Sequence, residues 1–445
     1  MDKKASISNA DATLDSLETM VKANLSKIEF ALGFIGIFII LVFGKALLKT
    51  DMLFFRLVIG TALGYTLTRA YTGFAGSVNR AYNTGSTKLM RTLMLMFFIT
   101  ALSTTAFLIS SEDMAMYSLS INPINLGLIL GGILFGFGMS FSSCCASGVL
   151  TDLVTGLPRA IVTLIFFSLG VFLGFPIQKT ATWVTNSWIS TPVGETYGGG
   201  VFLPDLFKGD GLGGYIGALV LTGIFCGIVV FMSYVYENRR KENGTYIGHP
   251  MEKVQDSLQK REHSISKLFS AETYEIIFVK PWTLTQGAVV LTLLFVLLMG
   301  VTKSGWGAST PYGMWFGKVL MAFGVSPESL ASFSKQSPEF YTVPFFEHGV
   351  SVQNFGILVG TAIYLLTAGK FKETFMSEMK ITKREVLLYA LGGITMGLGT
   401  RMANGCNVGA LYTPIAQFSL SGWVFLVFMV IGGAIGNTCA KKWRA

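Results

Sequence analysis

Two cysteines occupy the same position in an internal repeat. The segment GGILFGFGMSFSSCCASGVL (131–150) aligns without a gap on GGITMGLGTRMANGCNVGAL (392–411), at a constant offset of 261 residues. Eight positions are identical, and Cys145 aligns with Cys406. Because the chain has only five cysteines, a shared cysteine makes a chance match implausible. A thiol is a soft, polarisable group and a weak hydrogen-bond donor. The repeat therefore predicts a pair of functional thiols, without specifying what they bind.

A short apolar segment follows each of these cysteines, at 148–156 and at 409–420, and each segment begins with a glycine, Gly148 or Gly409. Neither segment is long enough to cross a bilayer. Short apolar pieces beside glycine are typical of re-entrant or broken membrane helices, with ordinary extramembrane helices as the alternative. The free N–H groups at the start of such a helix carry partial positive charge, and Asn407 adds a side-chain donor. We therefore predict that both segments help to bind an anion.

The other three cysteines receive different interpretations. Cys144 lies beside Cys145 and forms a vicinal pair with it, which we interpret as an auxiliary thiol, with redox activity as the alternative. Cys226 and Cys439 lie in long apolar runs, where a cysteine packs as a small hydrophobic residue. The sequence thus predicts functional roles for the repeat cysteines and packing roles for Cys226 and Cys439.

Charged and aromatic residues near the repeat supply further candidates. Arg401 precedes Cys406 by five residues; it either meets an anion or extends to the outer membrane interface. Two loops share a glycine–aromatic–small step, Gly-Phe-Ala at 73–75 and Gly-Trp-Gly at 305–307. These loops either complete the lining of a path or are ordinary aromatic interfacial loops.

Composition places all of these residues in a membrane protein. The chain of 445 residues is 51% hydrophobic and 13% charged, whereas soluble domains are about 25% charged. Its 51 glycines suit close helix packing in a bilayer. The net charge of +9 is concentrated in loops, which argues against nucleic-acid binding. The apolar runs predict an all-α polytopic membrane protein with about ten spanning helices, at 30–48, 52–67, 92–109, 124–141, 160–175, 212–236, 282–301, 350–368, 386–402 and 423–440.

Basic residues predict the orientation. The segment 238–280 carries eight Lys and Arg, whereas 110–123 and 403–422 carry none. The positive-inside rule therefore places both termini and the central loop in the cytoplasm, so that the two copies of the repeat enter the membrane from opposite sides. The predicted domains are a cytoplasmic tail (1–29), an N-terminal membrane half (30–236), a mostly solvated cytoplasmic linker loop (237–280), a C-terminal membrane half (281–440) and a second tail (441–445).

Three segments resemble the YeeE/YedE family of bacterial membrane proteins. NGCNVGALYTPIAQFSLSGW (404–423) is similar to the second signature of that family, and FGFGMSFSSCCASG (135–148) to the first. RAYTGFAGSVNRAYNTGS (69–86) resembles the loop before the long span. The resemblance covers roughly 52–175 and 282–440. It implies spanning helices combined with short membrane-plunging helices, and uptake of thiosulfate or a related sulfur species; some members are associated with selenium metabolism.

The resemblance also assigns residues. The channel-lining cysteines of the family correspond to Cys145 and Cys406. Many members carry a further cysteine where this chain has Gly73, and the usual Gly-Gly-Cys of the first signature reads Ser143-Cys144-Cys145 here. These departures imply that Cys144 compensates for the thiol missing at Gly73, and they weaken the assignment to thiosulfate in particular.

The predicted function is a transporter or channel, not an enzyme, for uptake of a small sulfur-containing anion across the bacterial inner membrane. Its substrate path comprises Cys145, Cys406, Cys144, Gly148, Gly409, Asn407, Gly73 and Arg401, with no cofactor and no metal. The alternatives are a transporter of a selenium compound, a membrane thiol oxidoreductase, and a scaffold whose 237–280 loop recruits a cytoplasmic sulfur carrier. A sulfur-carrier or rhodanese-like protein is also a candidate partner of the transporter.

Overall fold

The described residues are almost entirely helical. The computed structural model describes residues 27–109, 114–259 and 271–444. The N-terminal half contains α1 (Lys27–Leu47), α2 (Asp51–Ala70), α3 (Gly76–Thr84), α4 (Lys88–Ile109), α5 (Leu126–Ser142), α6 (Gly148–Thr155), α7 (Leu157–Thr180), α8 (Thr182–Thr185), α9 (Pro192–Tyr197) and α10 (Tyr215–Glu242). Two short 3-10 helices, Met114–Met116 and Leu203–Phe207, lie between them.

The C-terminal half follows a short connecting region. That region contains α11 (Pro250–Gln259) and α12 (Ala271–Tyr274), which continues as a π-helical turn (Glu275–Val279). The half itself contains α13 (Leu284–Thr302), α14 (Thr310–Ala322), α15 (Pro327–Ser334), α16 (Pro338–Thr342), a 3-10 turn (Phe345–Glu347), α17 (Gly349–Thr367), α18 (Phe371–Ser377), α19 (Lys383–Met402), a π-helical segment (Asn407–Tyr412), α20 (Thr413–Ala416) and α21 (Leu420–Arg444).

Each of the ten predicted spans is a helix of 17 to 28 residues. Eight candidate spans in the described part of the chain are long and apolar enough to cross a bilayer. Of the remaining two predicted spans, α5 has 17 residues, and α2 has 20 residues but carries Asp51, Arg56 and Arg69. The predicted all-α polytopic membrane fold is confirmed.

The two copies of the repeat cross at a pair of glycine contacts. A methyl group placed on Gly131 would lie 2.7 Å from the carbonyl oxygen of Gly399, and one on Gly392 would lie 2.8 Å from that of Gly138. Since residue numbers rise along α5 while they fall along α19, the two helices are antiparallel. The offset of 261 carries Gly131 onto Gly392 and Gly138 onto Gly399. Each contact is therefore the image of the other, as an inverted repeat requires.

Backbone conformations extend this symmetry beyond the repeat itself. Ser143 and Asn404 end α5 and α19 in the left-handed region, at φ of 59° and 58°. Tyr71 and Lys303 likewise end α2 and α13, at φ of 54° and 56°. The helix packing agrees, because α7 lies along α19 as α21 lies along α5, and α17 lies along α2 as α4 lies along α13. The halves thus share four corresponding long helices, which pair α2 with α13, α4 with α17, α5 with α19 and α7 with α21.

The connecting region is more ordered than its composition indicates. We expected a mostly solvated loop, but Glu252 of α11 is buried and accepts a hydrogen bond from Arg80 at 3.2 Å. Gln255 donates to the carbonyl oxygen of Ala70 at 3.0 Å. Because these polar groups find partners in the membrane half, α11 packs beneath α3 and α4; we call this face of the molecule the linker side. Residues 1–26 of the predicted N-terminal tail and 260–270 of the linker lie outside the described residues.

Candidate functional site

The repeat cysteines from the two halves lie inside the protein, within electrostatic range of each other. Cys145 and Cys406 are buried, at 2% and 1% exposure, and neither forms a disulfide. The hydroxyl of Tyr312 donates to the carbonyl oxygen of Ala146 and lies within electrostatic range of Cys144, Cys145 and Cys406. We call these three cysteines the thiol cluster. The inverted repeat thus brings its two equivalent cysteines to one place.

Cys406 is the N-cap residue of a short helical segment. The π-helical segment begins at the next residue, and the backbone N–H groups of Val408 and Gly409 face the Cys406 sulfur. A methyl group placed on Gly409 would meet nothing within 4 Å. Backbone N–H groups and open space therefore lie together beside this thiol, which suits a small anion.

Cys145 has a similar environment at the start of α6. Its carbonyl oxygen accepts a hydrogen bond from Val149 at 2.8 Å, and its sulfur lies 3.4 Å from the hydroxyl oxygen of Ser147. The only neighbours that a methyl group on Gly148 would meet are the Cys144 Cβ and the Cys145 sulfur, both at 3.5 Å. Gly148 therefore leaves the face of α6 clear beside both thiols.

Asn407 is placed differently from the expectation. Its side chain is fully buried, and Nδ2 donates to the sulfur of Met139 at 3.5 Å. Its Oδ1 has no hydrogen-bond partner in the part of the chain that the structure describes. The amide thus directs its donor at a neighbouring side chain, and the group left free is an acceptor.

Arg401 is a buried cation without an acidic partner among the described residues. The guanidinium donates to Ser309 Oγ at 2.8 Å and more weakly, at 3.4 Å, to Thr310 Oγ1 and Gln178 Oε1. With 3% exposure it does not extend to the membrane interface, so that alternative is wrong. It lies within electrostatic range of Cys406. Since a buried charge is costly without a counter-charge, this guanidinium is suited to receive an anion.

The two aromatic loops pack together inside the protein. Phe74 and Trp306 are each 1% exposed, with ring centroids 6.3 Å apart, and both rings pack on Tyr412. The alternative of interfacial loops is therefore wrong for these two rings. A methyl group on Gly73 or Gly307 would meet nothing within 4 Å. The position of the missing third thiol thus borders open space.

Sequence reasoning missed Tyr312 and a network around Asp152. No motif distinguishes Tyr312 from the other tyrosines of the chain. Asp152 had a usable signal, because it is an acidic residue inside a short apolar segment four positions after Gly148. It pairs with Arg159 at 3.2 Å, and Arg159 pairs with Glu378 at 3.3 Å.

The two remaining cysteines lie outside the cluster. Cys226 packs in α10 with its sulfur 3.5 Å from the carbonyl oxygen of Met94. Cys439 lies near the end of α21, beside Phe141 and Leu388. These surroundings are those of packed side chains.

Paired broken helices that meet inside an inverted repeat of spanning helices define a class of membrane protein, that of transporters and channels for small solutes. Within that class, the sequence profile described as Sulphur transport, that of the YeeE/YedE proteins, matches residues 69–435, and the chain belongs to this family.

Individual relatives of this chain are named as transporters. The thiosulfate transporter TsuA of Spirochaeta thermophila is 25% identical over 76% of this chain and 84% of its own length. TsuA of Escherichia coli is 22% identical over 86% of this chain and 93% of its own length. The probable transporter YedE of Escherichia coli is 27% identical, but the match covers only 36% of this chain and 38% of YedE. The expected YeeE/YedE family membership is confirmed.

Proposed function

We propose that this protein takes up thiosulfate, or a closely related sulfur anion, along the thiol cluster. The observation that carries the proposal is the convergence of Cys145 and Cys406, each beside the start of a broken helix. The names of the two TsuA relatives support thiosulfate as the solute. The open space at Gly409 supports passage rather than permanent binding.

The two kinds of group in the site match the two ends of thiosulfate. Arg401, with the hydroxyl groups of Ser309 and Thr310, suits an oxyanion end that needs charge-assisted hydrogen bonds. The thiols are soft donors that suit the terminal sulfur and bind it weakly. Conduction requires sites that bind favourably and also release. Sulfate lacks the soft end and is therefore disfavoured.

The orientation of the protein in the membrane is inferred from the charge of the loops. The linker side carries most Lys and Arg, so we infer that it faces the cytoplasm of a bacterial cell, together with both termini. Arg401 then faces the outer entrance. The thiol oxidoreductase alternative is disfavoured, because Cys144 and Cys145 are at most 3% exposed and no partner protein can reach them.

The solute is tested by uptake into proteoliposomes. Purified protein should accumulate radiolabelled thiosulfate, and unlabelled thiosulfate should compete at least ~10-fold better than sulfate. Selenite is included as a competitor, because stronger competition by selenite would favour the selenium alternative. Equal competition by sulfate and thiosulfate would contradict a soft, sulfur-selective path.

A further inference from the structure

The accessible face of α6 leads from the thiol cluster towards the linker side. Gly148 and Asp152 are four residues apart in α6 and therefore lie on the same face of the helix. Both are partly accessible, and Asp152 accepts a hydrogen bond from Thr155 at 3.3 Å. Cys144 lies within electrostatic range of Asp152 and Arg159. A solute that leaves the thiols along this face of α6 meets the charged side chains of Asp152 and Arg159.

Those charges are two carboxylates on one guanidinium. Arg159 contacts Asp152 through Nη2 at 3.2 Å and Glu378 through Nη1 at 3.3 Å. The Nε of Arg159 is buried and has no hydrogen-bond partner among the described residues. A methyl group on Gly156 would lie 3.0 Å from Glu378 and 3.1 Å from Arg159, so the network closes tightly over the end of α6. One donor of the guanidinium is thus left for a further acceptor.

We propose that Asp152, Arg159 and Glu378 form a gate at the linker-side end of the path, in which Arg159 exchanges its carboxylates for the departing anion. The proposal rests on the proposed function. With the path empty, the two carboxylates hold the guanidinium and repel other anions. An arriving oxyanion offers Arg159 the same charge-assisted hydrogen bonds, so the exchange replaces one ion pair by another. Release then follows when the carboxylates return.

The other copy of the repeat argues against a purely architectural role. The offset of 261 places Thr413 and Leu420 where α6 and α7 have Asp152 and Arg159. Thr413 donates to the carbonyl oxygen of Trp306 at 2.7 Å and is buried. A short broken helix therefore packs in this fold without an ion pair, and the network is specific to the copy that opens on the linker side.

The gate is tested first by thiol accessibility, which requires no solute. In a chain carrying Cys226→Ser and Cys439→Ser, a membrane-impermeant maleimide is applied to vesicles that expose the linker side. Asp152→Asn and Glu378→Gln should each raise the rate of labelling of the thiol cluster by about tenfold, because each removes one of the two ion pairs of Arg159.

Glu378→Gln is the variant that should fold normally, because the Glu378 side chain is 55% exposed. Its replacement leaves the ion pair between Asp152 and Arg159 intact. The matched control is Asp256→Asn, which breaks the exposed ion pair with Lys88 on the same side and should leave labelling unchanged. Wild-type labelling rates in both gate variants would overturn the proposal.

Transport kinetics give the second readout. Asp152→Asn should lower KM and kcat for thiosulfate together, each by about tenfold, because the freed guanidinium holds the solute more tightly. Simple structural damage does not lower KM. If wild-type protein shows no thiosulfate uptake, the proposed function fails, whereas the labelling result still decides the gate. Uptake by Asp152→Asn with wild-type KM and kcat would contradict the gate alone.

Discussion

The two copies of the repeat share a backbone but differ in their charges. Each supplies a long helix that ends in the left-handed region, a cysteine and a short broken helix. The C-terminal copy contributes Arg401, whose guanidinium has no acidic partner within the described residues. The N-terminal copy has Ser140 at the position equivalent to Arg401, and its cation is Arg159, held by Asp152 and Glu378. One cation thus has no carboxylate partner among the described residues, and the other is held by two carboxylates.

The two cations lie at opposite ends of one helix. Arg159 is in the first turn of α7, while the Arg401 side chain lies against Gly174, so that a methyl group there would be 2.7 Å from its Cβ. At 1.5 Å per residue, they are about 22 Å apart along α7. An inverted repeat by itself makes both ends alike. We propose that this difference in partners gives the symmetric fold a direction.

The largest expected effect tests the shared part of the two copies. Gly399→Leu should abolish folded protein, because even a methyl group at this position would lie 2.6 Å from the carbonyl oxygen of Gly131. The matched control is Gly227→Leu, since Gly227 has open space around it. Size-exclusion chromatography after detergent extraction checks both. Normal elution of Gly399→Leu would show that the α5–α19 crossing is looser than described.

The second prediction separates the two cations. Arg401→Gln should raise KM roughly ten- to a hundredfold, because a charge-assisted contact to the solute is lost. Its melting temperature should change little, because no acidic partner is left without its cation. Arg159→Gln should instead destabilise the protein by about 3 kcal/mol, because Asp152, whose side chain is only 15% exposed, loses the cation that balances its charge.

Melting temperatures and uptake kinetics of both variants are measured side by side. A large loss of stability in Arg401→Gln, with none in Arg159→Gln, would reverse the assignment of the free and the occupied cation.

Much of this asymmetry could not be read from the sequence. The ten helices, the repeat and the cysteine pair were predictable, because hydropathy, spacing and a rare residue type are local signals. The partners of Arg401 were not, since Ser309 and Gln178 come from distant helices. Arg159 and Glu378 are likewise more than two hundred residues apart in sequence, and they meet because α18, whose C-cap residue is Glu378, packs against α6.

The smallest expected effect concerns the missing third thiol. Gly73→Cys should fit without strain, because nothing lies within 4 Å of the new Cβ, and should raise uptake about two- to threefold if the thiol lines the path. Gly305→Cys is the matched control, because its Cβ would lie 2.2 Å from Thr413. If Cys144 replaces the missing thiol, Cys144→Ser should impair wild-type uptake more than it impairs uptake by Gly73→Cys. Equal losses in the two backgrounds would contradict compensation.

The most direct test of the thiol path is uptake by serine variants of its two repeat cysteines. Cys145→Ser and Cys406→Ser should each reduce thiosulfate uptake roughly five- to thirtyfold, which corresponds to about 1–2 kcal/mol per thiol, because a hydroxyl is a hard donor of similar size. Cys226→Ser and Cys439→Ser, at matched expression, should transport at the wild-type rate. We predict almost complete loss in the Cys145→Ser/Cys406→Ser double variant; full uptake by that variant would contradict the thiol path.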